Sequence, residues 1–208
     1  MTMSQRNQSQ NEEHFAIING TVVLPDGLLA NGMVEFVGSR IVAVGQEEQR
    51  DRSVRIIDAK GGYISPGFVD IHVHGGAGSD FMDGTAEAVR IACEAHARHG
   101  TTTIFPTTTT GSFPHIMTMI SACEAVGREF AGSCGPTLAG IHLYGPYFAE
   151  DKVGCHPKDG CRPPNSSEYE KYFATNLIRV ATCAAELPGA DEFYNLARRH
   201  RCLVTCGH

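Results

Sequence analysis

The stretch SPGFVDIHVHGG, residues 65–76, decides the fold that the sequence predicts. It is a nearly continuous apolar run, which is typical of a β-strand buried on both faces of a parallel sheet. His72 and His74 alternate along it, so both imidazoles point the same way near its carboxyl end. Barrel enzymes place catalytic groups at that end, and neutral imidazole is a good ligand for zinc or iron. Asp70 and the preceding Pro-Gly favour a metal site over the alternative, a pair of hydrogen-bonded structural histidines.

Strands and helices alternate downstream of this stretch. The predicted strands are residues 65–76, 101–109, 137–146, 177–186 and 202–208, and the predicted helices are 85–100, 112–132, 166–176 and 188–200. Such alternation indicates a parallel sheet covered by helices. We therefore predict an α/β fold with about five parallel strands over residues 65–208.

The segment upstream has a different pattern. Residues 15–64 contain short runs rich in valine and isoleucine, separated by glycine, asparagine, proline and aspartate, which predicts a small β-sheet. Residues 1–14 are polar and lack the apolar core of a signal peptide, so we expect a disordered tail.

Composition excludes several classes of protein. The 208 residues carry a net charge of −6 and no basic block, so no nucleic-acid partner is expected. No apolar stretch reaches the roughly 18 residues of a transmembrane helix, so no membrane partner is expected either. The eight cysteines form no CxxC pair, which disfavours a cysteine zinc site. Without a secretion signal, a cytoplasmic protein with reduced thiols is expected.

Several segments together resemble one family of enzymes. The first strand resembles that of the amidohydrolase superfamily. The strings HGTTTIFPT (99–107), GIHLYGPYFAEDKVGCHP (140–157), AAELPGA (184–190) and VTCGH (204–208) resemble the N-acetylglucosamine-6-phosphate deacetylase family, in the same order. The resemblance implies metal-dependent hydrolysis of the amide of N-acetylglucosamine 6-phosphate, giving glucosamine 6-phosphate and acetate. It also implies a partial (β/α)8 TIM-type metallo-hydrolase barrel over residues 65–208, preceded by a small β-sandwich to which residues 15–64 contribute. One or two divalent metal ions, zinc or iron, and a homodimer at full length are implied as well.

The resemblance assigns roles to individual residues. His208 matches a metal-binding histidine, and His72 and His74 match the pair that binds a second metal in some members. His156 and its neighbour Cys155 match a loop that contacts substrate, although position alone also fits an exposed loop histidine. Because all three metal-type histidines end predicted strands, we expect them to converge at the barrel mouth.

Two departures from the family pattern matter. The family's third strand carries a glutamate metal ligand, and this sequence has Tyr144 in that position. A phenol titrates near about pH 10, so it is a poor neutral ligand at physiological pH. In addition, the family's catalytic aspartate and its phosphate contacts match no residue up to His208. Five strands cannot close a barrel, so we expect the chain alone to be inactive and, through an unpaired edge strand, prone to aggregation.

Three hypotheses about function remain open at this stage. The first is a deacetylase of this family. The second is a non-catalytic relative that binds sugar phosphate and has lost metal chemistry through Tyr144. The third is a different amidohydrolase, of the dihydroorotase-like or imidazolone-hydrolysing type, although those enzymes do not usually carry the ELPGA string at 186–190.

Overall fold

A computed structural model of the chain describes residues 13–47, 54–131 and 135–208. The chain divides into two compact units, residues 1–66 and 67–208. Most of the predicted polar tail, residues 1–12, lies outside the described residues.

The first unit is built on a β-sheet. Its strands are β1 (His14–Leu24), β2 (Gly27–Val37), β3 (Arg40–Gln46), β4 (Arg55–Asp58) and β5 (Tyr63–Ile64). The strand order is β3-β2-β1-β4, with β5 also paired to β1. Strands β1 to β3 are antiparallel, whereas β4 and β5 run parallel to β1. The described residues of this unit form one sheet, and the predicted β-sandwich stays a prediction.

The second unit alternates strands and helices. Its strands are β6 (Phe68–Val73), β7 (Gly75–Gly76), β8 (Ser79–Asp80), β9 (Thr101–Pro106), β10 (Thr137–Leu138), β11 (Ile141–Tyr144), β12 (Ile178–Cys183) and β13 (Leu203–Cys206). Its helices are α1 (Ala86–Ala97), α2 (Phe113–Phe130), α3 (Ser166–Ala174) and α4 (Ala190–Arg199). Short 3-10 turns lie at Phe81–Asp83 and Lys158–Gly160.

The long strands of this unit are parallel. They form two three-stranded sheets, β10-β9-β6 and β11-β12-β13. The prediction that the strand within 65–76 is buried on both faces is wrong, because β6 lies at the edge of its sheet and Phe68, Val69 and Ile71 are exposed. A parallel bridge between Thr107 and His142 connects the two sheets, so β9 and β11 are neighbours. The predicted strand at 137–146 is divided into β10 and β11, which are separated by Ala139 and Gly140.

The helices begin where capping residues end the preceding loops. The side chain of Thr85 accepts a hydrogen bond from the N–H of Ala88 at the start of α1, and Ser112 caps α2 in the same way. Helix α1 ends three residues before Gly100, whose φ is 92°. The apolar faces of the helices bury one continuous core, which includes Phe81, Met119, Leu143 and Phe193. No helix in the described part of the chain is long and apolar enough to cross a membrane.

Candidate functional site

Imidazole rings gather at the carboxyl ends of the parallel strands. His72 lies in β6, His74 follows it, and His208 lies two residues beyond the end of β13. The ring centroids of His72 and His74 are 5.0 Å apart, and those of His156 and His208 are 5.1 Å apart. His156 also lies 5.7 Å from His74. The structure therefore brings the four predicted histidines into one cluster.

Tyr144 lies at the centre of this imidazole cluster. Its ring centroid is 4.4 Å from that of His72, 5.9 Å from His74, 5.5 Å from His156 and 5.1 Å from His208. Burial raises the pKa of its phenol, and the electrostatic influence of the nearby Cys155 raises it further. The phenol is therefore neutral at physiological pH.

The hydrogen bonds of His208 fix its tautomer. Its Nδ1 lies 3.1 Å from the carbonyl oxygen of Lys152. A carbonyl only accepts, so Nδ1 carries the proton and Nε2 of the neutral ring presents a lone pair. The hydroxyl of Tyr144 makes a short hydrogen bond with Nε2 and is its donor. Phe148 stacks on the same imidazole, with ring centroids 4.2 Å apart.

His142 lies beneath the cluster and makes hydrogen bonds through both ring nitrogens. Its Nδ1 donates to the carbonyl oxygen of Ile71 at 2.9 Å, and Nε2 accepts from the hydroxyl of Thr182 at 2.8 Å. Thr182 in turn lies 2.5 Å from the hydroxyl of Thr205. This series of hydrogen bonds crosses from β6 through β11 and β12 to β13. Neither nitrogen of His142 has a lone pair left for another ligand.

The protonation of His142 should make stability depend on pH. Burial lowers its pKa from 6.5 to about 4. Between these values the unfolded chain binds the proton and the folded chain does not, so stability falls as pH falls. We expect His142 to account for a loss of about 2 kcal/mol between about pH 7 and about pH 5. Urea unfolding of the wild type and His142→Gln at both pH values measures this contribution, and equal losses in the two proteins would contradict it.

The pKa values of two other imidazoles in the cluster, those of His72 and His156, are also lowered. Burial lowers the pKa of His72; the charges of His74 and His208 lower it further, and Asp70 raises it. Burial also lowers the pKa of His156, as do the charges of His208, His74 and His72. The cluster therefore favours neutral rings, which have lone pairs available to substrate or metal.

A threonine run holds the strand ends in place and was not assigned to the site from the sequence. Thr107 accepts a hydrogen bond from the N–H of Val73 at 2.9 Å. Thr108 accepts from the N–H of Tyr144 at 2.8 Å and donates to the carbonyl oxygen of the same residue. Thr109 lies 2.5 Å from Nδ1 of His156. The prediction of a strand through residue 109 was too long, because β9 ends at Pro106; the repeated hydroxyls after that proline were the available signal.

The cysteines divide into buried and exposed groups. Burial raises the pKa of Cys93, Cys183 and Cys202 to about 12, so these thiols behave as small apolar side chains. Cys155, the predicted substrate contact, is exposed and interacts electrostatically with Tyr144. The structure thus places Cys155 close to the cluster.

Comparison with known proteins identifies the family. The profile of the amidohydrolase family matches residues 63–200, more than half of the chain. The chain belongs to the amidohydrolase family.

Curated relatives of this amidohydrolase include deacetylases of amino-sugar phosphates. The N-acetylglucosamine-6-phosphate deacetylase of Bacillus subtilis is 30% identical over 190 residues, which cover 89% of this chain and 47% of the relative. The N-acetylgalactosamine-6-phosphate deacetylase of Escherichia coli O157:H7 is 30% identical over 148 residues, which cover 70% and 38%. The chain spans about half the length of the curated relatives it matches.

Solved structures agree with this grouping. A variant of the N-acetyl-D-glucosamine-6-phosphate deacetylase of Mycobacterium smegmatis, in complex with N-acetyl-D-glucosamine-6-phosphate, has a TM-score of 0.80. It is 27% identical, and the match covers 94% of this chain and 50% of that one. The enzyme from Thermotoga maritima has a TM-score of 0.73 at 27% identity, and its match covers 93% and 48%.

Amidohydrolases are generally metal-dependent. Catalytic zinc sites usually have three protein ligands. Here His72 and His74 offer imidazole nitrogens, but Nε2 of His208 is occupied by Tyr144. Among the described residues, no group of three or more His, Cys, Asp or Glu side chains is arranged to hold a metal ion. The side chains as they lie therefore do not form a complete ligand set.

Proposed function

We propose that the whole protein hydrolyses the amide of an N-acetylated amino-sugar 6-phosphate, releasing acetate. The observation that carries this proposal is the convergence of His72, His74, His156 and His208 at the carboxyl ends of parallel strands in an amidohydrolase. Enzymes with parallel α/β barrels bind substrate at that end. The names of the relatives supply the class of substrate.

The architecture of the whole protein is part of the proposal. Strands β6, β9, β11, β12 and β13 would be the first five of a (β/α)8 barrel, and residues 15–64 would be part of a small β-sandwich. The whole protein would act as a cytoplasmic homodimer, with zinc or iron as its divalent metal, one or two ions. Its proton-transferring aspartate would belong to sequence outside this chain.

His156 is the residue of this chain best placed to orient substrate. Thr109 engages Nδ1 of His156, which leaves Nε2 for a sugar hydroxyl or the acetyl oxygen. A neutral ring at this position forms such a bond without the cost of burying a charge. Cys155, exposed beside it, would line the same approach.

Acetate release tests the proposed function. We expect the whole protein to release acetate from N-acetylglucosamine 6-phosphate or its galactosamine epimer, and much less from unphosphorylated N-acetylglucosamine. The ratio of kcat/KM for the two epimers identifies the preferred sugar. His156→Asn should raise KM more than it lowers kcat, because a binding contact is lost. A folded, metal-supplied protein that releases no acetate from either epimer would contradict the proposal.

The hydrogen bond between Tyr144 and His208 favours a second candidate, a non-catalytic relative that binds the sugar phosphate. This protein would bind either epimer in a calorimetric titration and release no acetate. The third hypothesis, a different amidohydrolase, has less support because the curated relatives are named as amino-sugar phosphate deacetylases.

A further inference from the structure

Tyr144 differs from the histidines of the imidazole cluster. Its hydroxyl occupies a potential metal ligand, His208, and does not itself serve as a ligand. The tautomer of His208 is set by the carbonyl oxygen of Lys152, which accepts from Nδ1. The remaining lone pair, on Nε2, is the only one through which His208 can bind a metal. The hydroxyl of Tyr144 donates to that lone pair.

The ring of Tyr144 also occupies the space between the possible ligands. It makes edge contacts with His72 and His208, at centroid distances of 4.4 and 5.1 Å. Ligands of one zinc ion must approach a common point to within about 2 Å. The phenol lies between the imidazoles that would have to share that point.

We propose that Tyr144 is an internal competitor of metal binding, whose hydroxyl holds Nε2 of His208 so that an ion binds only after this hydrogen bond breaks. The inference rests on the proposed metal site but not on the proposed substrate. It differs from the view that a phenol is merely a weak replacement for a carboxylate. A weak ligand adds some affinity, whereas a competitor subtracts it.

Tyr144→Phe distinguishes a competitor from a weak ligand, because the two predict opposite changes in metal affinity. The variant keeps the ring and removes only the hydroxyl. Breaking a neutral hydrogen bond in a protein changes an equilibrium constant by about twofold to tenfold. We therefore expect the 208-residue chain carrying Tyr144→Phe to bind Zn²⁺ about twofold to tenfold more tightly than the wild type, measured by competition with a chromophoric chelator.

The matched control is Tyr194→Phe, which removes a hydroxyl that donates to the carbonyl oxygen of Cys183. Its Zn²⁺ affinity should equal that of the wild type. Weaker binding by Tyr144→Phe would mean that the phenol is a ligand, and unchanged binding would mean that the hydroxyl does not compete. Either result overturns the proposal. Because no substrate is present, the result does not depend on deacetylase activity.

A second measurement needs no variant. If Tyr144 were a ligand, Zn²⁺ would remove its proton, and the ultraviolet difference spectrum of the wild type would show tyrosinate. The proposal expects no tyrosinate band at saturating Zn²⁺. It also expects the Nε2 resonance of His208, in ¹⁵N-labelled protein, to change from a hydrogen-bonded nitrogen to a metal-bound one. A tyrosinate band, or an Nε2 resonance that Zn²⁺ leaves unchanged, would overturn it.

Discussion

Replacing Tyr144 by glutamate is expected to raise the Zn²⁺ affinity of the chain about a hundredfold or more. The substitution removes the hydroxyl that engages His208 and supplies an anionic oxygen at the same position. Even residues that only orient metal ligands are worth about tenfold to a hundredfold in affinity, so a direct anionic ligand should exceed them. In the whole protein, the same substitution should increase acetate release from an N-acetylated amino-sugar 6-phosphate.

The control for this substitution is Tyr144→Gln, which has nearly the shape of glutamate but no charge. It removes both the hydroxyl and the ring without adding a carboxylate, so its affinity should be at least that of Tyr144→Phe and below that of Tyr144→Glu. Metal content by mass spectrometry and chelator competition measure all of these proteins. Equal metal content in Tyr144→Glu and the wild type would show that the residue at position 144 does not limit metal binding.

Replacing Arg162 by methionine is expected to destabilise the chain by about 3 kcal/mol, because it leaves Glu168, whose side chain is only 13% exposed, without its cation. The guanidinium makes a two-point contact with that carboxylate, with Nε to Oε2 at 2.9 Å. It also donates to the carbonyl oxygens of Gly111 and Gly160, at 2.9 and 2.8 Å. The loop that carries His156 is thereby fastened to α3 and to the end of the threonine run.

Urea unfolding compares this loss of stability with the loss caused by breaking a surface ion pair. Arg128 pairs with Glu124 on the exposed side of α2, so Arg128→Met should cost no more than about 0.5 kcal/mol. The double variant Arg162→Met/Glu168→Leu should lose less than the sum of the two single variants, because no unpaired charge remains. Similar losses for Arg162→Met and Arg128→Met would contradict the anchoring role.

The sequence predicted the positions of the strands better than the contacts between them. The alternation of His72 and His74 placed both rings on one side, and the structure has them 5.0 Å apart. The apolar runs also predicted the order of strands and helices. These features depend on local periodicity, which a sequence contains directly.

The Tyr144–His208 hydrogen bond could not be predicted in this way. The two residues are 64 positions apart, and the direction of the bond depends on the carbonyl oxygen of Lys152 in a loop. The division of the third predicted strand, and the tight packing around Gly140 within it, were not predicted either. A Cβ there would lie 2.9 Å from the carbonyl oxygen of Leu177, a contact that exists only once the strands have packed.

The side chain at position 144 can be exchanged because other residues hold the end of β11. Thr108 bonds the backbone N–H and carbonyl of residue 144, and His142 is held by Ile71 and Thr182. None of these bonds involves the side chain of residue 144. The backbone therefore places any side chain at position 144 in the same location. A single substitution there can change the chemistry of the pocket between lineages without changes in the residues that hold the strand.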